Sequence, residues 1–267
     1  MPRHFHNTGS RPSGGDWIYG RRPVVEALRA GRRQFRELRV LDAALRDGSG
    51  DTDLREICAI ASDCGLRVIR TARRDLENLL GPVNHQGVAL RAGGFAYGDF
   101  DQLLRAVEED PEAIVLVLDH IEDPQNVGSL LRTADAAGVA GVVIPEDRSA
   151  GVTAAAVRAS AGASEHLCVV KVVNLVRALA SLKEAGCWIT GLDWGDDAKG
   201  YTEVDYKGRC AIVVGNEGHG IGRLVRDNCD FIAQLPMRGG VASLNASVAG
   251  GIVLYEALRQ KTEKADR

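Results

Sequence analysis

Hydrophobic and polar positions divide the chain into two regions in which strands and helices alternate. From residue 113 onward, continuous apolar runs predict six strands, and helices are predicted around 127–138, 151–162, 173–186, 221–228 and 244–260. Strands that are apolar along their whole length are buried on both faces. The pattern therefore predicts an α/β fold whose mostly parallel sheet is covered by helices. The predicted strands are AIVLVLD, GVVIP, HLCVVK, CWITGLD, CAIVVG and FIAQLP.

The first hundred residues predict a separate, smaller α/β unit. Its first helix, RPVVEALRAG, has Pro23 near its start and Gly31 at its end, as helices prefer. We expect a disordered tail over 1–15, a first domain over 16–93, a linker over 94–112 and a second domain over 113–267. The linker assignment depends on the glycine content of GGFAYGDFDQ. A short predicted helix follows this segment and ends at Pro111.

Composition excludes several classes of protein. The chain has 267 residues, of which 45% are hydrophobic, but no apolar run approaches the roughly 18–20 residues of a membrane helix. The N-terminus has no apolar segment typical of a secretory signal. We therefore expect a cytoplasmic protein with no membrane partner. The six cysteines form no C-x-x-C pair, which favours reduced core thiols and no metal site.

Charge is unevenly distributed along the chain. Residues 1–105 carry 17 Lys and Arg against 13 Asp and Glu, and the remainder carries 16 against 23. The first 40 residues alone hold nine Arg and three acids. A basic N-terminal region followed by an acidic remainder indicates that the N-terminal region binds a polyanion. The alternative is that its arginines are ordinary surface residues.

Three polar loops follow predicted strands, at 119–128, 215–222 and 236–247. Ligands of parallel sheets bind at such strand ends. In DHIEDPQNVG, Pro124 stiffens the turn and Asn126 is a suitable N-cap. Arg132 on the following helix has two interpretations: it pairs with Asp135, or with Asn126 it holds an anionic group. The sequence leaves both open.

The other two loops are rich in small residues. VVGNEGHGIGRL has four glycines in eight residues, but not in the G-x-G-x-x-G order of a dinucleotide site, which argues against a Rossmann-type enzyme. Glu217 within it would repel phosphate and favours a neutral or cationic ligand. In LPMRGGVASLNASVAGG, Ser243 is the simplest helix cap, and the small residues permit close backbone approach.

Together, DPQNVGSLLRTADAAG, VVGNEGHG and LPMRGGVASLNASVAGGIVLYEALRQ resemble the three motifs of the SPOUT superfamily, in the expected order. More narrowly, residues 113–262 resemble the TrmH-type RNA ribose 2′-O-methyltransferases. The N-terminal segments IYGRRPVVEALRAG and VNHQGVAL resemble the ribosomal-protein-L30e-like substrate-binding domain of the subgroup that methylates a guanosine of 23S ribosomal RNA.

The resemblance implies a deep trefoil knot in the second domain, S-adenosylmethionine as the methyl donor, and a homodimer whose active sites use residues of both chains. It places the donor on the backbone of Gly215, Leu235 and Leu244, beside Gly218, Gly220 and Met237. The implied catalytic residues are Asn126, Arg132, Glu217, Ser243 and Asn245.

We expect Arg132 to grip the target phosphate and the developing 2′-oxyanion, because a guanidinium stays protonated. The implied role of the basic first domain is to bind RNA through its arginines, which are Arg21, Arg22, Arg32, Arg33 and Arg36. Two alternatives remain open: the same chemistry on transfer RNA, and a catalytically silent RNA-binding or ribosome-assembly protein.

Overall fold

The computed structural model describes residues 16–42, 51–241 and 243–265. The predicted tail at 1–15 lies outside them. Among the described helices, none is both long enough and apolar enough to cross a membrane.

The N-terminal unit is a four-stranded sheet with helices packed on it. Its strand order is β1-β4-β2-β3; β2 and β3 are parallel, and β4 is antiparallel to both β1 and β2. Strand β1 was not predicted, because in its four residues only Ile18 is fully buried and so short a segment gives little periodic signal. The elements are β1 (Asp16–Tyr19), α1 (Arg21–Ala30), β2 (Phe35–Leu41), α2 (Thr52–Asp63), β3 (Arg67–Thr71), α3 (Arg73–Leu80) and β4 (Val88–Ala92).

The C-terminal unit is a seven-stranded sheet in the order β7-β6-β5-β10-β8-β11-β9, and every adjacent pair is parallel. The predicted α/β class with a parallel sheet is confirmed, whereas the knot stays a prediction. The elements are α4 (Phe100–Glu109), β5 (Ile114–Asp119), α5 (Pro124–Ala136), β6 (Gly141–Pro145), α6 (Ala154–Ala159), a 3-10 turn (Ala163–Glu165), β7 (Val169–Val172), α7 (Leu175–Glu184), β8 (Trp188–Leu192), β9 (Lys199–Gly200), β10 (Cys210–Gly215), α8 (Arg223–Arg226), β11 (Phe231–Gln234) and α9 (Ala246–Ala265).

The expected linker contains a packed helix. Within 94–112, α4 buries Leu103 completely, and the side chain of Leu103 reaches Gly141, where an added Cβ would lie 2.6 Å from Leu103 Cδ1. The Gly98 amide also donates to the Val169 carbonyl at 2.8 Å. Residues 94–112 therefore pack on the edge of the C-terminal sheet.

Two helix caps differ from the predictions. Asp123, not Asn126, caps α5: its side chain accepts from the Gln125 amide, and Pro124 occupies the first turn. Asp and Asn are both good N-caps, but proline is tolerated only in the first turn of a helix. Pro124 therefore makes the residue before it, Asp123, the N-cap. Asn245, not Ser243, caps α9, accepting from the Ser247 amide at 3.0 Å. The first correction leaves the Asn126 side chain available for other contacts.

Polar contacts join the two units, beside apolar side chains of both units that belong to one continuous core. Arg33 lies against Glu165, with both side chains buried. Arg32 donates to the carbonyls of His166 and Leu167 at 3.0 and 2.6 Å. Arg33 therefore holds the N-terminal unit on the C-terminal one and is too buried to face RNA, whereas Arg32 is half-buried in the same contact and its RNA-binding role stays a prediction.

Candidate active site

Asn126 joins the three polar loops into one network. Its side-chain amide donates to Glu217 of the second loop, and its carbonyl oxygen accepts from Asn245 Nδ2 of the third loop at 2.8 Å. Asn126 is only 8% exposed, because α5 turns this residue toward the sheet. The structure therefore brings together three of the five predicted catalytic residues: Asn126, Glu217 and Asn245.

The second loop folds back on its own first residue. A Cβ added to Gly215 would lie 2.3 Å from the Gly220 carbonyl carbon, a distance that no side chain tolerates. The Gly220 amide donates to the Asn216 carbonyl at 2.8 Å, and Gly220 has φ +66°, a conformation suited to glycine. This crossing leaves backbone of Gly215, Gly218 and Gly220 beside the Asn126 network, where we predicted the donor.

Polar residues at the end of β5 anchor this loop. The buried Asp119 carboxylate accepts from the Gly222 amide at 2.7 Å through Oδ2. Asn216 Nδ2 donates to the His120 carbonyl at 3.0 Å. Because β5 and β10 are adjacent parallel strands, these bonds tie the loop after β10 to the loop after β5.

The third loop reaches the site through α9. Gly250 packs so closely on α5 and β10 that an added Cβ would lie 2.6 Å from Leu130 Cδ2 and 3.0 Å from Val214 Cγ2. This contact places Asn245, at the start of α9, beside Asn126. Of the other residues predicted here, Leu235 is half-buried against the core, whereas Met237, Ser243 and Leu244 are exposed.

Arg132 is not part of the network. It is exposed and lies six residues after Asn126, which rotates it roughly 240° around the helix axis. In the part of the chain that the structure describes, no side chain pairs with it, and this includes Asp135.

Two protein families match the chain over the two units just described. The SpoU rRNA Methylase family matches residues 113–255, and a family described as RNA 2′-O ribose methyltransferase substrate binding matches residues 17–97. The first match covers more than half of the chain and contains all three loops. The chain belongs to the SpoU rRNA Methylase family.

Individual relatives agree with this assignment. YacO of Bacillus subtilis, named for the TrmH family of tRNA/rRNA methyltransferases, is 37% identical over 92% of this chain and 96% of its own length. A Mycobacterium avium protein named as an uncharacterized tRNA/rRNA methyltransferase is 41% identical over 91% of this chain and 77% of its own length. The family recognition and the prediction of an RNA methyltransferase are confirmed.

A solved structure gives the same result for the fold. The SpoU methyltransferase AviRb from Streptomyces viridochromogenes, in complex with AdoMet, superimposes with a TM-score of 0.75 at 26% identity. The alignment covers 92% of this chain and 90% of AviRb, so it includes both units of the methylase.

The remaining predicted RNA-binding arginines of the methylase lie on the N-terminal unit. Arg22 and Arg36 are exposed. Arg21 is half-buried and paired with Asp51 and with Asp53. Arg21 and Arg22 line an open cavity of about 700 Å³. The other lining residues are Leu41, Asp51, Asp53, Leu54, Arg73, Glu77, Val83, Asn84, His85, Gln86 and Gly87.

A further loop of the methylase borders the site and was not predicted. Residues 193–197 follow β8, and an added Cβ on Gly220 would lie 3.3 Å from Asp193 Oδ1. Arg226 holds this loop by bonding to Asp197, and that hydrogen bond keeps the pKa of the Asp197 carboxyl below its usual value. Trp194 is left 82% exposed. The signal available in the sequence was a set of polar residues after an apolar strand, the same signal that marks the other loops.

Asp119, His120 and Asn216 were also missed as individual residues. All three lie within or next to loops that the sequence singled out, but their side-chain bonds depend on β5 and β10 being neighbours. In the described ranges, no group of three or more His, Cys, Asp or Glu side chains is placed to hold a metal ion.

Proposed function

We propose that this methylase transfers a methyl group to the ribose 2′-hydroxyl of a guanosine in 23S ribosomal RNA, in the cytoplasm and as a homodimer. The observation that carries the proposal is the junction at Asn126, which binds Glu217 and Asn245 at once. It gathers residues of the three family motifs near the carboxyl ends of the adjacent strands β5 and β10, where parallel sheets bind ligands.

S-adenosylmethionine is the methyl donor, as the family and the AdoMet-bound AviRb indicate. The site fits this molecule chemically. Its sulfonium is a cation, and the Glu217 carboxylate is exposed beside the glycine crossing. The absence of side chains at Gly215, Gly218 and Gly220 lets a ligand approach the backbone closely.

Transfer is a single displacement in which the ribose 2′-oxygen attacks the methyl carbon as the carbon–sulfur bond breaks. The protein must orient both reactants and stabilise the charge that develops on the oxygen. Asn126, Ser243 and Asn245 would orient them, and Glu217 would fix the loop. Arg132 would clamp the target phosphate and the developing oxyanion bidentately.

In a homodimer, Arg132 of one subunit would enter the active site of the other subunit. On α9, Val248, Ile252 and Tyr255 follow a helical spacing and are 49%, 36% and 51% exposed, forming an apolar stripe. Gly251 on the same helix lies beside Thr133 of α5, with 3.6 Å between an added Cβ and Thr133 Cγ2. A partner that covers this stripe would also meet α5, the helix that carries Arg132. Apolar area of this kind is typical of subunit contacts.

The N-terminal unit would select the RNA. Arg22 and Arg36 are free to contact phosphates, and the cavity beside Arg21 has both donors and acceptors for a nucleotide. Ribosomal RNA is favoured over transfer RNA because the SpoU family description names it and because a separate substrate-binding unit is present.

The test is methyl transfer from labelled S-adenosylmethionine to a 23S ribosomal RNA transcript and to total transfer RNA, with the product nucleoside identified by mass spectrometry. The proposal expects a 2′-O-methylguanosine in the ribosomal transcript. Methylation of transfer RNA alone would move the function to the first alternative. Failure to bind S-adenosylmethionine in calorimetry would favour the silent RNA-binding protein.

Two variants test the role of Arg132. Arg132→Lys should lose most activity if two parallel bonds are needed, and retention of most of the rate would refute the clamp. Inactive Arg132→Ala subunits can be mixed with inactive Asn126→Ala subunits so that dimers form at random. Half of the dimers then contain one subunit of each kind, and one of the two sites in such a dimer has both native residues. We therefore expect about a quarter of all sites to be active. If the mixture stayed inactive, Arg132 would not act in the partner's site.

A further inference from the structure

His120 has a backbone conformation that non-glycine residues rarely adopt, although histidine is found there more often than most. It is the first residue after β5 and has φ +55°. Non-glycine residues with positive φ are uncommon and cluster at functional sites, where the surrounding structure maintains the strain. A glycine would make the same turn at lower cost. The turn itself therefore does not explain why the residue is histidine.

The conformation brings the imidazole beside its own neighbour. Successive side chains of a strand point to opposite faces, so Asp119 and His120 would be separated if β5 continued. The left-handed turn instead places His120 Nδ1 2.5 Å from Asp119 Oδ1. Asp119 is only 1% exposed, and its other oxygen is fixed by the Gly222 amide. The carboxylate is therefore held rigidly by two bonds.

This pairing determines which imidazole nitrogen carries the proton. A carboxylate can only accept, so Nδ1 must be the donor. In the neutral ring, Nε2 then keeps its lone pair and is a base. A buried carboxylate that orients a histidine in this way also stabilises the imidazolium that forms when Nε2 takes a proton. The His120 side chain is 38% exposed, so a substrate can reach it.

His120 also lies within the loops of the proposed donor site. Asn216, at the start of the glycine loop, donates to its carbonyl, and Gly222, at the end of that loop, bonds to Asp119. The His120 backbone and the Asp119 carboxylate are therefore bonded to the two ends of the segment that carries Glu217. Arg132 cannot serve as the base because a guanidinium stays protonated. The proposed reaction therefore still requires a group that accepts the 2′-hydroxyl proton.

We propose that His120 is that group. This inference rests on the proposed function. The ribose 2′-oxygen forms a bond to the donor methyl carbon, the carbon–sulfur bond breaks with its electron pair left on sulfur, and the 2′-hydroxyl proton passes to His120 Nε2. Asp119 stabilises the resulting imidazolium, which afterwards releases the proton to water. Atoms and charge balance without any further reactant.

Charged and titratable residues lie on each of the segments that pack around His120. Asp119 is the direct partner on the same segment. The glycine loop and the loop after β6 pack against this segment, the latter through the Ala150 amide and the Ile121 carbonyl at 2.8 Å. The charged and titratable residues on these three segments are Asp119, Glu122, Asp123, Glu146, Asp147, Arg148, Glu217 and His219.

The experiment compares single-turnover methylation by the wild type and three variants at saturating RNA and donor. His120→Asn and His120→Gly both suit the positive φ, so the turn is preserved. We expect each to be roughly 10²- to 10⁴-fold slower. In the wild type the rate should rise across roughly pH 5 to 8, where imidazoles lose their proton, and this rise should disappear in both variants. His219→Asn should keep it.

Two further measurements separate proton transfer from a structural role. Added imidazole should partly restore His120→Gly, which leaves space for it, but not His120→Asn. Calorimetric affinity for S-adenosylmethionine should stay within a few-fold in both. A His120→Asn rate within threefold of the wild type, or an unchanged pH rise, would overturn this inference alone. A wild type that methylates no RNA would overturn the proposed function and this inference with it.

Discussion

Arg33 and Glu165 form a two-bonded ion pair that is buried between the two units of the methylase. Arg33 Nε lies 2.9 Å from Glu165 Oε2, and a second guanidinium nitrogen lies 2.5 Å from Oε1. The side chains are 2% and 1% exposed, and Phe95 covers the guanidinium, with 5.0 Å between Arg33 Cζ and the ring centroid. This pair fixes the substrate-binding unit on the catalytic unit.

Removing one partner of this pair should destabilise the protein strongly. Arg33→Met would leave the Glu165 carboxylate buried without its counter-charge, and such changes cost about 3–5 kcal/mol. We expect the free energy of unfolding, measured by urea denaturation, to fall by that amount. Arg36→Met is the matched control, because Arg36 is exposed three residues away, and it should change stability by less than about 0.5 kcal/mol.

The paired change Arg33→Met with Glu165→Leu should recover most of the loss, because no unpaired charge then remains. A double variant as unstable as Arg33→Met would show that the contact stabilises through shape rather than charge. Equal losses from Arg33→Met and Arg36→Met would contradict the buried-pair interpretation.

Adjacent glycines on α9 should respond in opposite ways to alanine. At Gly250 an added Cβ would lie 2.6 Å from Leu130, whereas at Gly251 the nearest atom is 3.6 Å away. Gly250→Ala should therefore cost about 1–3 kcal/mol through overpacking. Gly251→Ala should gain up to about 1 kcal/mol from helix propensity. Thermal unfolding of the two variants measures the difference, and two equal shifts would refute the close packing of α9 on α5.

The sequence predicted what depends on local pattern. Apolar runs located the six longer strands of the second sheet, and Gly31 located the end of α1, where it adopts φ +61°. The prediction from sequence failed where two residues were both suitable as the N-cap of one helix, as with Asp123 and Asn126. It also failed where the partner is distant in the chain: nothing near Arg33 indicates Glu165, which is 132 residues away. His120 also accepts a hydrogen bond from Asn216, 96 residues away, and its sequence neighbourhood gives no sign of the positive φ.

Trp194 should report on donor binding. It is 82% exposed on the loop that lies against Gly220, whereas Trp188 lies at the opposite end of β8. We expect S-adenosylmethionine to change the tryptophan fluorescence of Trp188→Phe, which retains Trp194, because a ligand at the glycine crossing alters the environment of the indole. In Trp194→Phe the change should be absent. If it persisted there instead, the donor would bind away from the 193–197 loop.

Asn126 should control donor affinity without controlling folding. Asn126→Ala removes the two hydrogen bonds that hold Glu217 and Asn245 in the site, and each such bond contributes about 0.5–1.5 kcal/mol to the arrangement of the loops. Calorimetry should therefore show S-adenosylmethionine binding about 5- to 150-fold more weakly. Asn174→Ala is the matched control, since Asn174 only caps α7: it should lower stability by about 1 kcal/mol and leave the donor affinity unchanged. If Asn126→Ala bound S-adenosylmethionine as tightly as the wild type, the three loops would be held in place without the Asn126 junction. The donor site would then not depend on Asn126.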